Sequence, residues 1–216
     1  MSIKPERVII LGSGGHGRVV IDILEGDKHY IIAGVTDANG PQNATLVNRY
    51  GVLGDDSILP DVYQSGVRHA FVAIGDNRLR RILTESVLGM GFTLVNAISN
   101  SAHISRLVTI GKGTVVMPGA IINTGAVIGN GVIINTGATI DHDCILSDYS
   151  HVAPGVNLAG SITIGAGTFL GVGSKVIDGI SIGEWVVAGA GSVVVRDVPS
   201  HCQIIGVPAR VTKKLG

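Results

Sequence analysis

The sequence predicts a two-part α/β + β chain, a small α/β module over residues 1–97 followed by a parallel β-helix over residues 98–216. Three observations carry this reading. From Ile104 every sixth residue is aliphatic for sixteen consecutive positions, fifteen of them Ile, Leu or Val, with no insertion. Before that point, short apolar runs alternate with stretches of helical spacing. Glycine supplies 32 of the 216 residues and charged side chains only 15%, a composition suited to tight, repeated turns.

In the first part, Arg7–Leu11 (RVIIL) reads as a buried strand and is followed by a glycine turn. Arg18 to Leu24 then has helical spacing. Tyr30–Val35 and His69–Ile74 read as two further strands. Asn77–Met90 is expected to be a helix with its apolar residues at Leu79, Ile82, Leu83 and Val87, and Phe92–Val95 closes the module. Strands alternating with helices imply a small parallel sheet.

In the second part the inward series runs from Ile104 and Ile110 to Ala188 and Val194. A small or compact residue, such as Thr114, Ala120, Ala138, Cys144 or Ser174, stands two places before the following aliphatic. One place earlier still, ten of the sixteen repeats carry Gly. A period of six fits neither an α-helix nor plain strand alternation. It fits a β-helix whose rungs each hold one short strand and one turn. Three rungs form a coil of 18 residues, so about five coils stack at the ~4.8 Å strand spacing.

Composition narrows the function. Sixteen basic and sixteen acidic side chains leave no net charge to hold nucleic acid or an anionic membrane surface. Apolar runs are broken by Gly, Pro or Asn well short of the ~20 residues that span a bilayer. The opening Met-Ser-Ile-Lys-Pro-Glu-Arg lacks the apolar stretch of a signal peptide, so a soluble cytoplasmic protein is expected. Two cysteines, Cys144 and Cys202, make neither a disulfide framework nor a zinc site.

The β-helix breaks its own rule at one place. Its glycine column runs through Gly113, Gly119, Gly125, Gly131 and Gly137, then meets Asp143 and Tyr149 before returning at Gly155. That stretch holds His142 and His151, with Asp141 and Asp148, although only eight Lys, Arg, Asp or Glu occur between Ile104 and Val195. A local departure from a structural rule marks a site of function. His142, with an ordinary pKa of about 6.5, suits a general base, and Asp143 can accept a proton from its second ring nitrogen. Gly160, one coil further on, would leave an opening through which a thin substrate arm reaches the histidine. A non-catalytic β-helix scaffold gives no reason for this interruption.

Gly12-Ser13-Gly14-Gly15-His16-Gly17 satisfies G-x-G-x-x-G between a strand and a helix, and Asp37 stands twenty residues past Gly17. These features fit an NAD-dependent oxidoreductase. Against it, 97 residues suffice for one mononucleotide-binding half of a Rossmann-like domain, and the β-helix follows at once. The pyrophosphate of a nucleotide-linked sugar suits the amides at such a helix start equally well.

The strings Ile140-Asp141-His142-Asp143-Cys144-Ile145 and Ser150-His151-Val152-Ala153-Pro154-Gly155 are similar to the sialic-acid O-acetyltransferase (NeuD) and bacillosamine or perosamine N-acetyltransferase family. The tail Gly206-Val207-Pro208-Ala209-Arg210 resembles the ending of hexapeptide acyltransferases. The resemblance covers nearly the whole chain. It implies a left-handed β-helix, a homotrimer with active sites between neighbouring β-helices, and no metal. His142 would be the base, assisted by Asp143, and His151 would lie near the thioester of acetyl-CoA. Gly160, Val172 and Ala190 join His151 as implied acetyl-CoA positions. Gly14, Gly15, His16, Asp37, Gly75 and Asn77 are the implied nucleotide-sugar positions. The implied reaction moves acetyl from acetyl-CoA to the 4-amino group of a nucleotide-linked 4-amino-4,6-dideoxy sugar, of the UDP-bacillosamine precursor or GDP-perosamine type, in surface-polysaccharide or glycan biosynthesis. The choice among UDP, GDP and dTDP stays open, and O-acetylation of a sugar such as sialic acid is the alternative.

Overall fold

The computed structural model describes residues 5–38, 46–47 and 49–215. The chain divides into two compact units, Met1–Asn100 and Ser101–Gly216. In the first, β1 (Glu6–Leu11) lies between β2 (Tyr30–Thr36) and β5 (His69–Val72), parallel to both. Val8 to Leu11 are buried on both faces, as a continuous apolar run in a parallel sheet requires. β6 (Thr93–Leu94) pairs parallel with β5. Beyond β2 lie β4 (Tyr50–Gly54) and β3 (Leu46–Val47), which pair antiparallel at the edge.

α1 (Gly15–Glu25) buries Val20, Ile21, Ile23 and Leu24, the residues at helical spacing. Gly17 is obligatory here, since a Cβ would stand 2.1 Å from the Gly12 carbonyl oxygen. α2 (Leu59–Gln64) is a short helix that buries only Leu59.

α3 (Asn77–Gly89) corrects the expected apolar face. It buries Asn77, Arg80, Thr84 and Val87, while Leu79 and Ile82 are exposed. The reason is polar: Arg80 turns inward and donates to the carbonyls of Ile74 and Gly75 and to Asn77 Oδ1. Satisfying those carbonyls at the end of β5 sets the rotation of the helix, which turns Leu79 and Ile82 outward while Leu83 and Val87 stay against the core.

The second unit is a left-handed β-helix of two-residue strands. A first sheet stacks Val115–Val116, Ile133–Ile134, His151–Val152, Phe169–Leu170 and Val187–Ala188. A second begins at His103–Ile104 and a third at Thr109–Ile110. From Ile104 to Val194 successive coils pair strands 18 residues apart, as in Val116↔Ile134↔Val152, and the last coil pairs at 16, as in Ala188↔Ile204. From Val116 to Val194 each inward aliphatic is no more than 3% exposed. Buried threonines serve the turns: Thr168 Oγ1 donates to the Gly183 carbonyl and accepts from the Val186 N–H. The antiparallel hairpin Cys202–Gly206 and Ala209–Lys214 adds Cys202, Ile204 and Ala209 to the same core.

Fourteen successive corners, from Gly113 to Gly191, take a left-handed backbone. Ten glycines supply it, and four other residues take it: Asp143 (φ 59°), Tyr149 (59°), Ser161 (57°) and Trp185 (52°). Two of these departures are packing devices, because Tyr149 lies against Gly131 and Trp185 against Gly167. A Cβ at Gly167 would stand 2.5 Å from the indole, whereas one at Gly173 meets nothing within 4 Å. Gly167→Ala should therefore destabilise by clearly more than the ~1–2 kcal/mol left-handed penalty expected of Gly173→Ala. Thermal or urea unfolding of the two variants checks the difference.

Candidate active site

The corner between the second and third sheets carries His142. Asp141 Oδ1 accepts both the His142 N–H (2.8 Å) and Asn123 Nδ2 (3.0 Å) from the preceding coil. The Asp143 N–H donates to the Thr124 carbonyl and Ser161 N–H to the His142 carbonyl, so the turn is tied to the coils on both sides. The imidazole lies against Gly160, where a Cβ would stand 2.5 Å from the ring. The space left by the absent side chain at Gly160 is thus filled by the histidine ring, where the sequence suggested an opening for substrate.

His142 Nδ1 stands 2.9 Å from Asp143 Oδ2, and the His142 side chain is 54% exposed. The Asp143 hydrogen bond, with smaller help from the charges of Asp141 and Asp143, holds His142 above the ordinary histidine value. Asn123 and the His142 N–H hold Asp141 below the usual carboxylate range. Cys144 points inward, fully buried, and donates to the Ala159 carbonyl. Burial raises its thiol pKa, which leaves it a poor nucleophile.

His151 lies on the first sheet, 8% exposed, with its ring edge against Phe169 and Nε2 3.3 Å from Asn135 Nδ2. Asn135 carried no signal in the sequence beyond its place in the repeat. Val172 and Ala190 are exposed and stack on consecutive coils, joined by the Gly191 N–H to the Val172 carbonyl. They mark the corner between the first and second sheets, where Gly119, Gly137, Gly155, Gly173 and Gly191 form an all-glycine column. Within one chain, then, His142, Asp143 and Gly160 come together, while Val172 and Ala190 occupy a different edge.

In the first unit, Gly14, Gly15 and His16 follow β1, Asp37 follows β2, and Gly75 and Asn77 follow β5, all at carboxyl ends of parallel strands. The α/β architecture places ligands there. Asp37 accepts from the Ser13 N–H and hydroxyl, which ties the glycine loop to the end of β2. Arg80, overlooked by pattern reading, is the buried cation beneath this site. His16 Nε2 is buried with no hydrogen-bond partner among the described residues. Burial, and secondarily the Arg80 charge, push His16 down to about 4. Among the described residues no three metal-ligating side chains gather, and no helix is long and apolar enough to cross a membrane.

A ring-proton NMR titration should therefore separate the two histidines. His142 should titrate above 6.5 and His16 only near 4. The folded chain refuses a proton at His16 that the unfolded chain accepts below about 6.5, so stability should fall with pH from there toward 4. His16→Asn should flatten that slope, as read by urea unfolding across the same pH range.

Residues 7–87 match the family model for the PglD N-terminal domain, and residues 107–142 that for the bacterial transferase hexapeptide (six repeats). PerB from Caulobacter crescentus, solved in complex with CoA and GDP-perosamine, is 45% identical with a TM-score of 0.91 over 99% of this chain and 100% of that one. A variant of the perosamine N-acetyltransferase of that organism with one histidine replaced by asparagine was also solved with CoA and GDP-perosamine. The acetyltransferase domain of PglB from Neisseria gonorrhoeae, in complex with acetyl coenzyme A, is 33% identical over 97% of this chain and 100% of that one, with a TM-score of 0.88. Among curated proteins, a serine acetyltransferase of Synechococcus elongatus is 39% identical over 53% of this chain and 48% of its own length. The chain spans half or less of the length of the curated relatives it matches. Full-length likeness to PerB, joined to the two family models and the β-helix corner, shows that the chain belongs to the PglD-like family of hexapeptide-repeat sugar acetyltransferases.

Proposed function

We propose that this protein transfers acetyl from acetyl-CoA to the 4-amino group of a nucleotide-linked 4-amino-4,6-dideoxy sugar. The observation that carries the reading is the exposed His142–Asp143 pair on a corner tied to both neighbouring coils. Asp143 accepts the Nδ1 proton, which fixes the tautomer and leaves Nε2 as the proton acceptor. As the neutral amine attacks the thioester carbonyl, its proton passes to Nε2. The tetrahedral oxyanion then collapses, releasing the CoA thiolate, which the imidazolium can protonate. His151, Gly160, Val172 and Ala190 are the acetyl-CoA positions in this reading. Gly14, Gly15, His16, Asp37, Gly75 and Asn77 hold the nucleotide sugar. Among nucleotides GDP is favoured, because the relative sharing 45% of its residues was solved with GDP-perosamine.

We further infer a homotrimer working in the cytoplasm. Two features support the assembly. His142 and the pair Val172 and Ala190 sit on different edges of one β-helix, and a cyclic neighbour can bring unlike edges together. Ile121, Val127 and Ile145 are exposed on its outer faces, 39–47% each, an apolar surface suited to burial in an interface.

Thiol release from acetyl-CoA, measured against GDP-, UDP- and dTDP-linked 4-amino sugars and against sialic acid, tests the acceptor. Turnover with sialic acid alone would replace the amine by a hydroxyl acceptor. His142→Asn should keep the fold and the acetyl-CoA Kd while kcat/KM falls by roughly 10²–10⁴-fold. The base acts in its neutral form, so wild-type kcat/KM should rise with pH through a midpoint above 6.5. Asp143→Asn removes the leading cause of that elevation and should move the limb to lower pH.

A further inference from the structure

Beside His142 the second unit holds a groove of about 530 Å³ lined by His103, Arg106, Asn123, Thr124, Asp141 and His142, among others. Arg106, Thr124 and His142 occupy the same place on three successive coils, 18 residues apart. At the ~4.8 Å spacing of paired strands, Arg106 stands about 9.6 Å along the coil axis from His142. Among the described residues Arg106 is exposed and forms no ion pair. His103 is exposed beside it. The groove is therefore polar in the electrical sense, cationic at the Arg106 end and anionic at the other, where Asp141 and Asp143 flank the base.

We propose that Arg106 holds the sugar-proximal phosphate of the acceptor and thereby selects the 4-amino position for reaction at His142. The inference rests on the acceptor class proposed above and adds the residue that reads it. In a hexopyranose the 4-nitrogen and the anomeric phosphorus lie on opposite sides of the ring, about 7 Å apart by ordinary bond lengths. With a hydrogen bond of about 3 Å at each end the span is about 13 Å, which the long Arg106 side chain covers from a backbone about 9.6 Å away along the coil axis. The amine end of such a sugar carries positive charge before deprotonation and the phosphate end negative charge, complementary to the two ends of the groove. A 2- or 3-amino isomer anchored by the same phosphate points its nitrogen off the line from the phosphate to the base. Guanidinium suits the task because its fork matches two phosphate oxygens.

Calorimetry on the full chain tests this without needing turnover, with a GDP-linked 4-amino-4,6-dideoxy sugar, the corresponding sugar 1-phosphate and the free 4-amino sugar as probes. Arg106→Ala should weaken the two phosphorylated probes by about 10–100-fold, the scale of a lost charge-assisted hydrogen bond, and leave the free sugar and acetyl-CoA unchanged. Arg106→Lys should recover part of the loss. Equal affinities in wild type and Arg106→Ala, or the same loss with the free sugar, would overturn the assignment. Wild-type binding through Arg106 without acetylation refutes the proposed reaction but not this subsite. Acetylation indifferent to Arg106 refutes only the subsite.

Discussion

The second unit depends on one constraint: from Gly113 to Gly191 the backbone must turn through a left-handed corner at the same place in each hexapeptide while presenting an aliphatic residue inward. The repeat of 18 residues lets each coil place its N–H and C=O groups opposite those of the next, so no strand needs more than two residues. Corners are places where a side chain can leave this lattice and still be held by it. His142 exploits that. Its ring stands outside the core, yet the residues on either side of it are pinned to Thr124 on one coil and, through the His142 carbonyl, to Ser161 on the other. The base proposed at this corner needs such fixity, because misplacement by an ångström costs rate.

The β-helix was legible from Ile104 onward because its period is strict and its core is made of one kind of residue. The corner site was legible because Asp143 displaces a glycine beside a histidine. Glycine loss alone was an ambiguous sign. Ser161 and Trp185 also replace corner glycines, and Trp185, like Tyr149, packs over a glycine one coil away. What distinguishes Asp143 is an exposed carboxylate aimed at a neighbouring ring. In the first unit β1, α1 and the span of α3 followed from their apolar spacing, but the rotation of α3 did not. Its rotation is set by the carbonyls that Arg80 must satisfy, and hydrophobic spacing carries no information about those. Asn123 and Asn135 were equally silent, since their partners Asp141 and His151 are neighbours in space, 18 and 16 residues away in sequence.

The two units handle protons in opposite ways. In the first, burial and the Arg80 charge keep His16 neutral beside a glycine loop, so the imidazole adds no fixed charge there. In the second, a carboxylate raises the proton affinity of an exposed imidazole. Burial leads the first shift, and a neighbouring carboxylate produces the second against the opposing effect of burial.

The mismatch between a hexapeptide and an 18-residue coil has an evolutionary consequence. Insertion or deletion of a whole coil preserves both the core and the edge on which every later residue stands. A six-residue change preserves the core just as well, since each inward aliphatic still meets another, but it moves all that follows to the neighbouring edge. Placed between Gly160 and Val172, such a change would carry Val172 and Ala190 off the all-glycine corner without exposing a single core residue. Length variation in this architecture is thus screened twice, by stability in units of six and by function in units of eighteen.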